Sequence, residues 1–132
     1  MTKQTKQTII WAIVVIIFLT GGLFLLAKKN QGPGKLDTFA QCLNDSGIKF
    51  YGAFWCPHCK EQKAMFGRSQ RLLPYVECST PDGSDQLQIC KDKGIAGYPT
   101  WELADGTRLK IESSSGVSLK TLSEKTSCPL PE

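Results

Sequence analysis

Histidine is nearly absent: among 132 residues only His58 is present. A single imidazole leaves little material for a histidine-based metal cluster or a Ser-His-Asp triad. Acidic residues are missing from the first 35 positions, where Lys3, Lys6, Lys28, Lys29 and Lys35 give a local charge of +5. The rest of the chain carries 11 basic against 12 acidic groups, so the formal net charge of +4 belongs to the flanks of one segment. Without surplus basic charge on the folded part, a nucleic-acid footprint is excluded. No internal repeat or low-complexity run occurs, and the length allows one ordinary domain plus an anchor rather than a multidomain enzyme. A hydrophobic share of 41% and a charged share of 21% exclude a disordered acidic chain.

Two features are abundant instead, an apolar run and cysteine. Residues 9–27 are 19 consecutive residues without a charge. As a helix they would span ~28 Å, the thickness of a bilayer core. A cleaved signal peptide would have a shorter apolar region and small residues at an A-x-A-like site. Here Phe24-Leu25-Leu26-Ala27 runs straight into Lys28-Lys29. The expectation is a short inner tail at residues 1–8, an uncleaved transmembrane signal anchor at 9–27, a linker at 28–35 and one domain at 36–132. Gly21-Gly22 is tolerated glycine rather than a dimer motif, because G-x-x-x-G is absent. Lysines on both flanks leave the positive-inside rule almost silent. The six cysteines decide: they suit an oxidising compartment, so the domain is expected to face outward on a single-pass cytoplasmic-membrane anchor, in the periplasm or exterior.

Past the linker, Leu36, Phe39, Ala40 and Leu43 make a helical stripe that Gly47 ends. Residues 48–55 read as a buried strand that runs directly into Cys56-Pro57-His58-Cys59 and a helix-forming stretch. Residues 73–78 read as a second strand. Ser84 is expected to cap a helix containing Leu87 and Ile89, with Gly94 at its end. Residues 100–103 and 108–111 flank Asp105-Gly106 and predict a hairpin. A last helix is expected from the Ser118 cap, with Leu119 and Leu122 inward. The order α-β-α-β-α-β-β-α predicts an α/β domain, a central sheet with helices on both faces.

The C-x-x-C pair admits several chemistries. A zinc ribbon needs a second close Cys or His pair, and Cys78 and Cys90 are 12 apart. Covalent haem attachment needs His after the second Cys, where Lys60 stands. A redox dithiol needs its first Cys at a helix N-terminus, and the strand-to-helix reading puts Cys56 there. The helix dipole and free N–H groups would stabilise a thiolate at that point. Pro57 suits the first helical position, having no N–H to leave unpaired. His58 adds a donor or a positive charge beside Cys56. A purely structural disulfide between such near neighbours would be strained and reducible.

Phe54-Trp55-Cys56-Pro57-His58-Cys59-Lys60, together with Gly94-Ile95-Ala96-Gly97-Tyr98-Pro99-Thr100, resembles a thioredoxin-fold thiol–disulfide oxidoreductase. Phe50-Tyr51-Gly52-Ala53-Phe54-Trp55, Met65-Phe66-Gly67 and Pro74-Tyr75-Val76-Glu77-Cys78 are similar to one subgroup, the thioredoxin-like domain associated with bacterial vitamin K epoxide reductase homologues. Cys-Pro-His-Cys is also what the DsbA type of disulfide donor carries. The resemblance covers about residues 36–132. It implies a central mixed sheet flanked by helices, a cis Pro99 against the redox pair and a peptide groove shaped by Tyr98 and Pro99. Thioredoxin proper keeps a buried carboxylate six residues before the first active Cys, where Phe50 stands here. The proton of Cys59 would then leave through another group, Glu61 or water.

Four cysteines remain and allow three pairings. Cys78 follows a strand and Cys90 lies late in the next helix, so these two can fold back on each other. In the layout that the resemblance implies, the helix holding Cys42 and the helix before Cys128 end at the same pole, which pairs those two. Trp55 is expected to lie half in the core and half over the redox pair, and Lys60, Glu61 and Lys63 to be a solvated helix face. The functional expectation is a membrane-anchored oxidoreductase in which Cys56 exchanges with exported cysteine-containing proteins and Cys59 resolves. It needs no metal and no organic cofactor, because the dithiol carries two electrons. The resemblance implies an oxidase recycled by a quinone-linked vitamin K epoxide reductase homologue. Its rivals are an extracytoplasmic reductase or isomerase and, from another class, a copper-binding metallochaperone using Cys56, Cys59 and His58.

Overall fold

The computed structural model describes residues 3–29 and 32–132, with the side chains of residues 4–22 and 32–132. The chain divides into two units, residues 1–32 and 33–132. The first is a single helix, α1 (Lys3–Lys29), which takes in residues 3–8 as well as Lys28 and Lys29. At the ordinary helical rise its length is about 40 Å. Within it, Gln4–Gly22 has a mean hydropathy of 1.6 and no buried residue, so by length and composition it could cross a membrane. Of the expected linker, Asn30 and Gln31 lie outside the described residues.

The second unit is built on three strands: β1 (Lys49–Gly52), β2 (Tyr75–Glu77) and β3 (Thr100–Glu102). Their order is β2-β1-β3, parallel between β1 and β2 and antiparallel between β1 and β3. Around this mixed sheet stand α2 (Asp37–Asp45), α3 (Pro57–Ala64), a 3-10 turn at Gly67–Leu72, α4 (Gln88–Asp92) and α5 (Leu119–Thr126). Phe39, Ala40 and Leu43 of α2 are fully buried, with Leu36 packed beside them. They join Phe50, Phe66, Trp101, Val117 and Leu122 in the main core. Phe50 is stacked on Trp101, ring centroids 4.7 Å apart, which ties β1 to β3. A smaller cluster unites Tyr51, Cys78, Cys90 and Ile95. The alternation of Phe50 and Tyr51 between the two clusters is the period-2 rule of a strand covered on both faces. Disulfides join Cys42 to Cys128 and Cys78 to Cys90.

Two local expectations are corrected. Ser84 does not cap α4; its amide and hydroxyl bond the Asp82 carboxylate at 3.2 and 2.7 Å. The helix begins later, at Gln88, because the Leu87 amide is taken by the Cys78 carbonyl at 2.7 Å and Ser79 bridges to Gln86. The Asp105-Gly106 turn forms, with the Leu103 amide on the Thr107 carbonyl at 2.8 Å, but residues 108–111 do not become a fourth strand. Pairing stops after the Glu102–Arg108 bridge and the Leu109 amide on the Trp101 carbonyl. The Arg108 guanidinium reaches out to the carbonyls of Lys93 and Gly94, and the Glu112 carboxylate turns to the Ser118 amide and the Thr121 hydroxyl. Both side chains draw the segment off the ladder. Ser118 does cap α5, accepting from the Thr121 amide at 3.1 Å.

Candidate active site

Strand β1 ends at Gly52, and four residues later the chain enters α3 with Cys56 as its N-cap and Pro57 in the first turn. The Cys56 sulfur accepts the Cys59 amide at 3.2 Å, one of the helix-start donors that no backbone carbonyl can reach. That contact and the helix dipole favour negative charge on Cys56. Both thiols are free and buried, Cys56 at 4% exposure and Cys59 at 1%. Burial, followed by the hydrogen bond and the field of Cys56, pushes the Cys59 thiol up to about 12. The two sulfurs therefore differ: one carries a backbone donor at the helix start and the other is desolvated behind it.

Trp55 is half exposed and fixed at its edge by Nε1–H donating to Ser79 Oγ at 2.8 Å. Its ring meets Tyr98 edge-on at 6.0 Å. The Tyr98–Pro99 peptide is cis, and the Tyr98 hydroxyl accepts from Gln86 Nε2 at 2.7 Å. Trp55, Tyr98, Ser79, Gly83 and Gln86 line a hollow of about 240 Å³, which reaches the residue before Cys56 but neither cysteine. A larger hollow of about 940 Å³, at Met65, Phe66 and Pro131, is lined by neither cysteine. His58 is exposed and faces Glu61, Nδ1 to Oε2 3.7 Å. Glu61 thus pairs at the surface with His58. Phe50 is fully buried.

Polar residues for which the sequence suggested no role at the site stand near Cys59. Lys63, expected on a solvated face, instead lies half-buried with Nζ 3.2 Å from the Tyr75 ring centroid. The Tyr75 hydroxyl donates to Glu77 Oε2 at 2.9 Å, and Glu77 Oε1 accepts the amides of Phe54 and Ser79. Signals for them existed. Lys63 follows Cys59 by four, on the same helix face, and Tyr75 and Glu77 alternate onto one face of β2. Gly52 explains how this cluster approaches the sulfur. A Cβ there would meet Tyr75 Cε2 at 2.8 Å and Cys59 Sγ at 3.0 Å. Gly52→Ala is accordingly expected to lower stability by about 1–3 kcal/mol, because β1 is paired on both edges and cannot yield. A shift of the denaturant midpoint at constant slope measures it, and an unchanged midpoint would contradict the packing.

Residues 33–126 match the family described as Thioredoxin. The chain belongs to the thioredoxin family. The two free thiols at the start of α3 are of a kind that can carry the two electrons of a disulfide without an organic cofactor. This thioredoxin-family chain is 45% identical over 98 residues to the thiol-disulfide oxidoreductase LTO1 of Arabidopsis thaliana, covering 70% of this chain and 24% of that protein. It is 34% identical over 113 residues to the thioredoxin domain-containing protein 5 homolog of Drosophila melanogaster, covering 74% of this chain and 26% of that one. The chain thus spans about a quarter of the length of these two relatives. Among the described residues, no group of three or more His, Cys, Asp or Glu is placed to hold a metal.

Proposed function

We propose that the protein is a membrane-anchored, extracytoplasmic thiol–disulfide oxidoreductase that works as an oxidase of exported proteins. The observation that carries the reading is Cys56 at the start of α3, its sulfur on the Cys59 amide, with Cys59 desolvated behind it. A thiolate stabilised at a helix start stabilises the reduced pair, and a stabilised reduced pair makes the disulfide the better oxidant. In this role a client thiolate attacks Cys56, a second client thiolate closes the client disulfide, and Cys56–Cys59 is left reduced. Tyr98 and Pro99 bound the groove that receives the client chain, with Trp55 and His58 beside the pair. The other four cysteines, paired as Cys42–Cys128 and Cys78–Cys90, suit the same oxidising compartment.

The apolar stretch of α1 supports a single-pass anchor in the cytoplasmic membrane with the domain outside. A tether raises the effective concentration of any membrane-embedded acceptor of the two electrons. The sequence resemblance names the class of that acceptor, a quinone-linked homologue of vitamin K epoxide reductase. The test traps thiols by acid quench and alkylation in cells with and without this partner, and adds protease to spheroplasts of the same cells. Cys56–Cys59 should be mostly oxidised with the partner and reduced without it, on a domain open to protease. A mostly reduced pair beside an active partner would favour the reductase or isomerase reading. Protection from protease would defeat the outward placement. Tight retention of one Cu(I) by the reduced pair, with little protein disulfide exchange, would point to the metallochaperone instead.

A further inference from the structure

The desolvated thiol of Cys59 poses a chemical problem: in either direction of exchange it must lose or regain a proton. Water has little access to a sulfur 1% exposed. Glu61 is turned to His58 at the surface, and Phe50 offers no proton acceptor. Cys56, the Ala53 backbone and the Lys63 cation act on the sulfur, and a hydroxyl approaches from β2. A Cβ at Gly52 would stand 3.0 Å from Cys59 Sγ and 3.3 Å from the Tyr75 hydroxyl, so the thiol and the phenol flank the same small space. The Tyr75 hydroxyl already donates to Glu77 Oε2 at 2.9 Å. Two backbone amides, those of Phe54 and Ser79, hold the other carboxylate oxygen in place. Lys63 Nζ lies over the Tyr75 ring, on the helix that carries Cys59.

We propose that Tyr75 and Glu77, with Lys63 beside them, form the proton path of the resolving cysteine. The path rests on the oxidoreductase reading above. When Cys59 resolves a mixed disulfide, its Sγ forms a bond to Cys56 Sγ as the bond from Cys56 to the partner sulfur breaks. The partner sulfur leaves with the electron pair as a thiolate. The Cys59 proton passes to the Tyr75 oxygen, directly or through one water, while the Tyr75 proton moves to Glu77. In the oxidase direction the same path returns a proton to Cys59 as it leaves Cys56. Tyr75 is the relay that faces the sulfur, Glu77 takes the proton from Tyr75, and Lys63 is a positioning residue beside them.

The charges are consistent with this division. The groups around Cys59 are Cys56 from the helix start, the Ala53 backbone, Lys63 from α3 and Tyr75 from β2, with Glu77 behind Tyr75. Lys63 is the cation among them, and its field favours the Cys59 thiolate. Burial pulls the Lys63 ammonium down from its ordinary value, opposed by the field of Glu77. Burial and the bond to Glu77 push the Tyr75 phenol up, so Tyr75 passes a proton on rather than holding a negative charge. The cluster replaces the buried carboxylate of thioredoxin from the neighbouring strand instead of from β1.

The experiment uses the full chain in detergent, fully reduced at Cys56–Cys59, mixed with oxidised glutathione and quenched with acid at intervals. Attack by Cys56 gives the glutathione adduct in a step that scales with glutathione concentration. Attack by Cys59 then releases the second glutathione in a step that does not. Glu77→Gln and Tyr75→Phe, which keep size and most contacts, should each slow the second step about a hundredfold at neutral pH, with the first step within about threefold. Across roughly pH 6–9 their deficit should close as hydroxide takes over from the relay. A second step that keeps its rate in both variants would overturn the path. So would a first step that falls in parallel, with a deficit that persists as pH rises, since that pattern marks a structural role. If the parent chain forms neither the adduct nor its internal disulfide, the oxidoreductase reading fails and the relay fails with it.

Discussion

Cys59→Ala should accumulate mixed disulfides with client proteins, visible as reductant-sensitive bands, whereas Cys56→Ala should accumulate almost none. Cys56 sits at the helix start with an N–H on its sulfur, and nothing in the Cys59→Ala protein can expel a partner once bound to it. Cys59 is 1% exposed, and its thiol is held up to about 12 chiefly by burial. Removing Cys56 relieves its hydrogen bond and field but leaves that larger cause in place. Burial alone thus still keeps the Cys59 thiolate, the species that exchanges, scarce at neutral pH. The two variants should therefore differ by orders of magnitude in trapped material at equal expression. Equal trapping would show that the attacked sulfur is misassigned. The triple variant Cys59→Ala with Tyr75→Phe and Glu77→Gln should trap as Cys59→Ala does, because the relay serves a step that is already absent.

How much of this was legible before the fold is best seen residue by residue. Cys56-Pro57-His58-Cys59 could be placed at a strand-to-helix turn because a largely apolar and aromatic strand pattern, a first-turn proline and helix formers all agree locally. The Ser118 cap was equally local. Failures came where a competing partner, near or distant in sequence, takes the group that the local pattern had assigned. Ser84 is a good cap in isolation, but Asp82 two residues earlier takes its hydroxyl. Residues 108–111 alternate like a strand, yet Arg108 finds the Lys93 and Gly94 carbonyls, which lie 15 and 14 residues away in sequence. Lys63 looked solvated because its neighbours Lys60 and Glu61 are. Only the register of β2 on β1, Gly52 opposite Glu77 and Phe50 opposite Tyr75, reveals what it faces. The missing carboxylate at Phe50 was readable from the sequence; its substitute required the pairing of two strands.

Gln62→Leu should cost about 3–9 kcal/mol, comparable with the whole stability of a marginal domain, which lies at about 5–15 kcal/mol. Gln62 is fully buried three residues after Cys59 on the inner side of α3. Its Oε1 accepts the Trp101 indole N–H at 3.2 Å and the Val117 amide at 2.7 Å, and its Nε2 donates to the Val117 carbonyl at 3.0 Å. Leucine keeps nearly the same volume, so the loss does not come from a cavity. It comes from three buried polar groups left without partners, each costing about 1–3 kcal/mol. The backbone at Gly116 passes directly over this amide: a Cβ there would lie 2.1 Å from Gln62 Oε1 and 3.4 Å from Pro99 Cγ. This one amide therefore docks the active-site helix onto β3 and onto the segment that passes Pro99. Denaturant unfolding of the oxidised chain, with the slope unchanged, gives the loss directly. Trp101→Phe removes one orphaned donor, so in the Gln62→Leu background it should cost less than it does alone. A loss below about 1 kcal/mol, or strict additivity of the two changes, would mean that the amide is not what holds these groups.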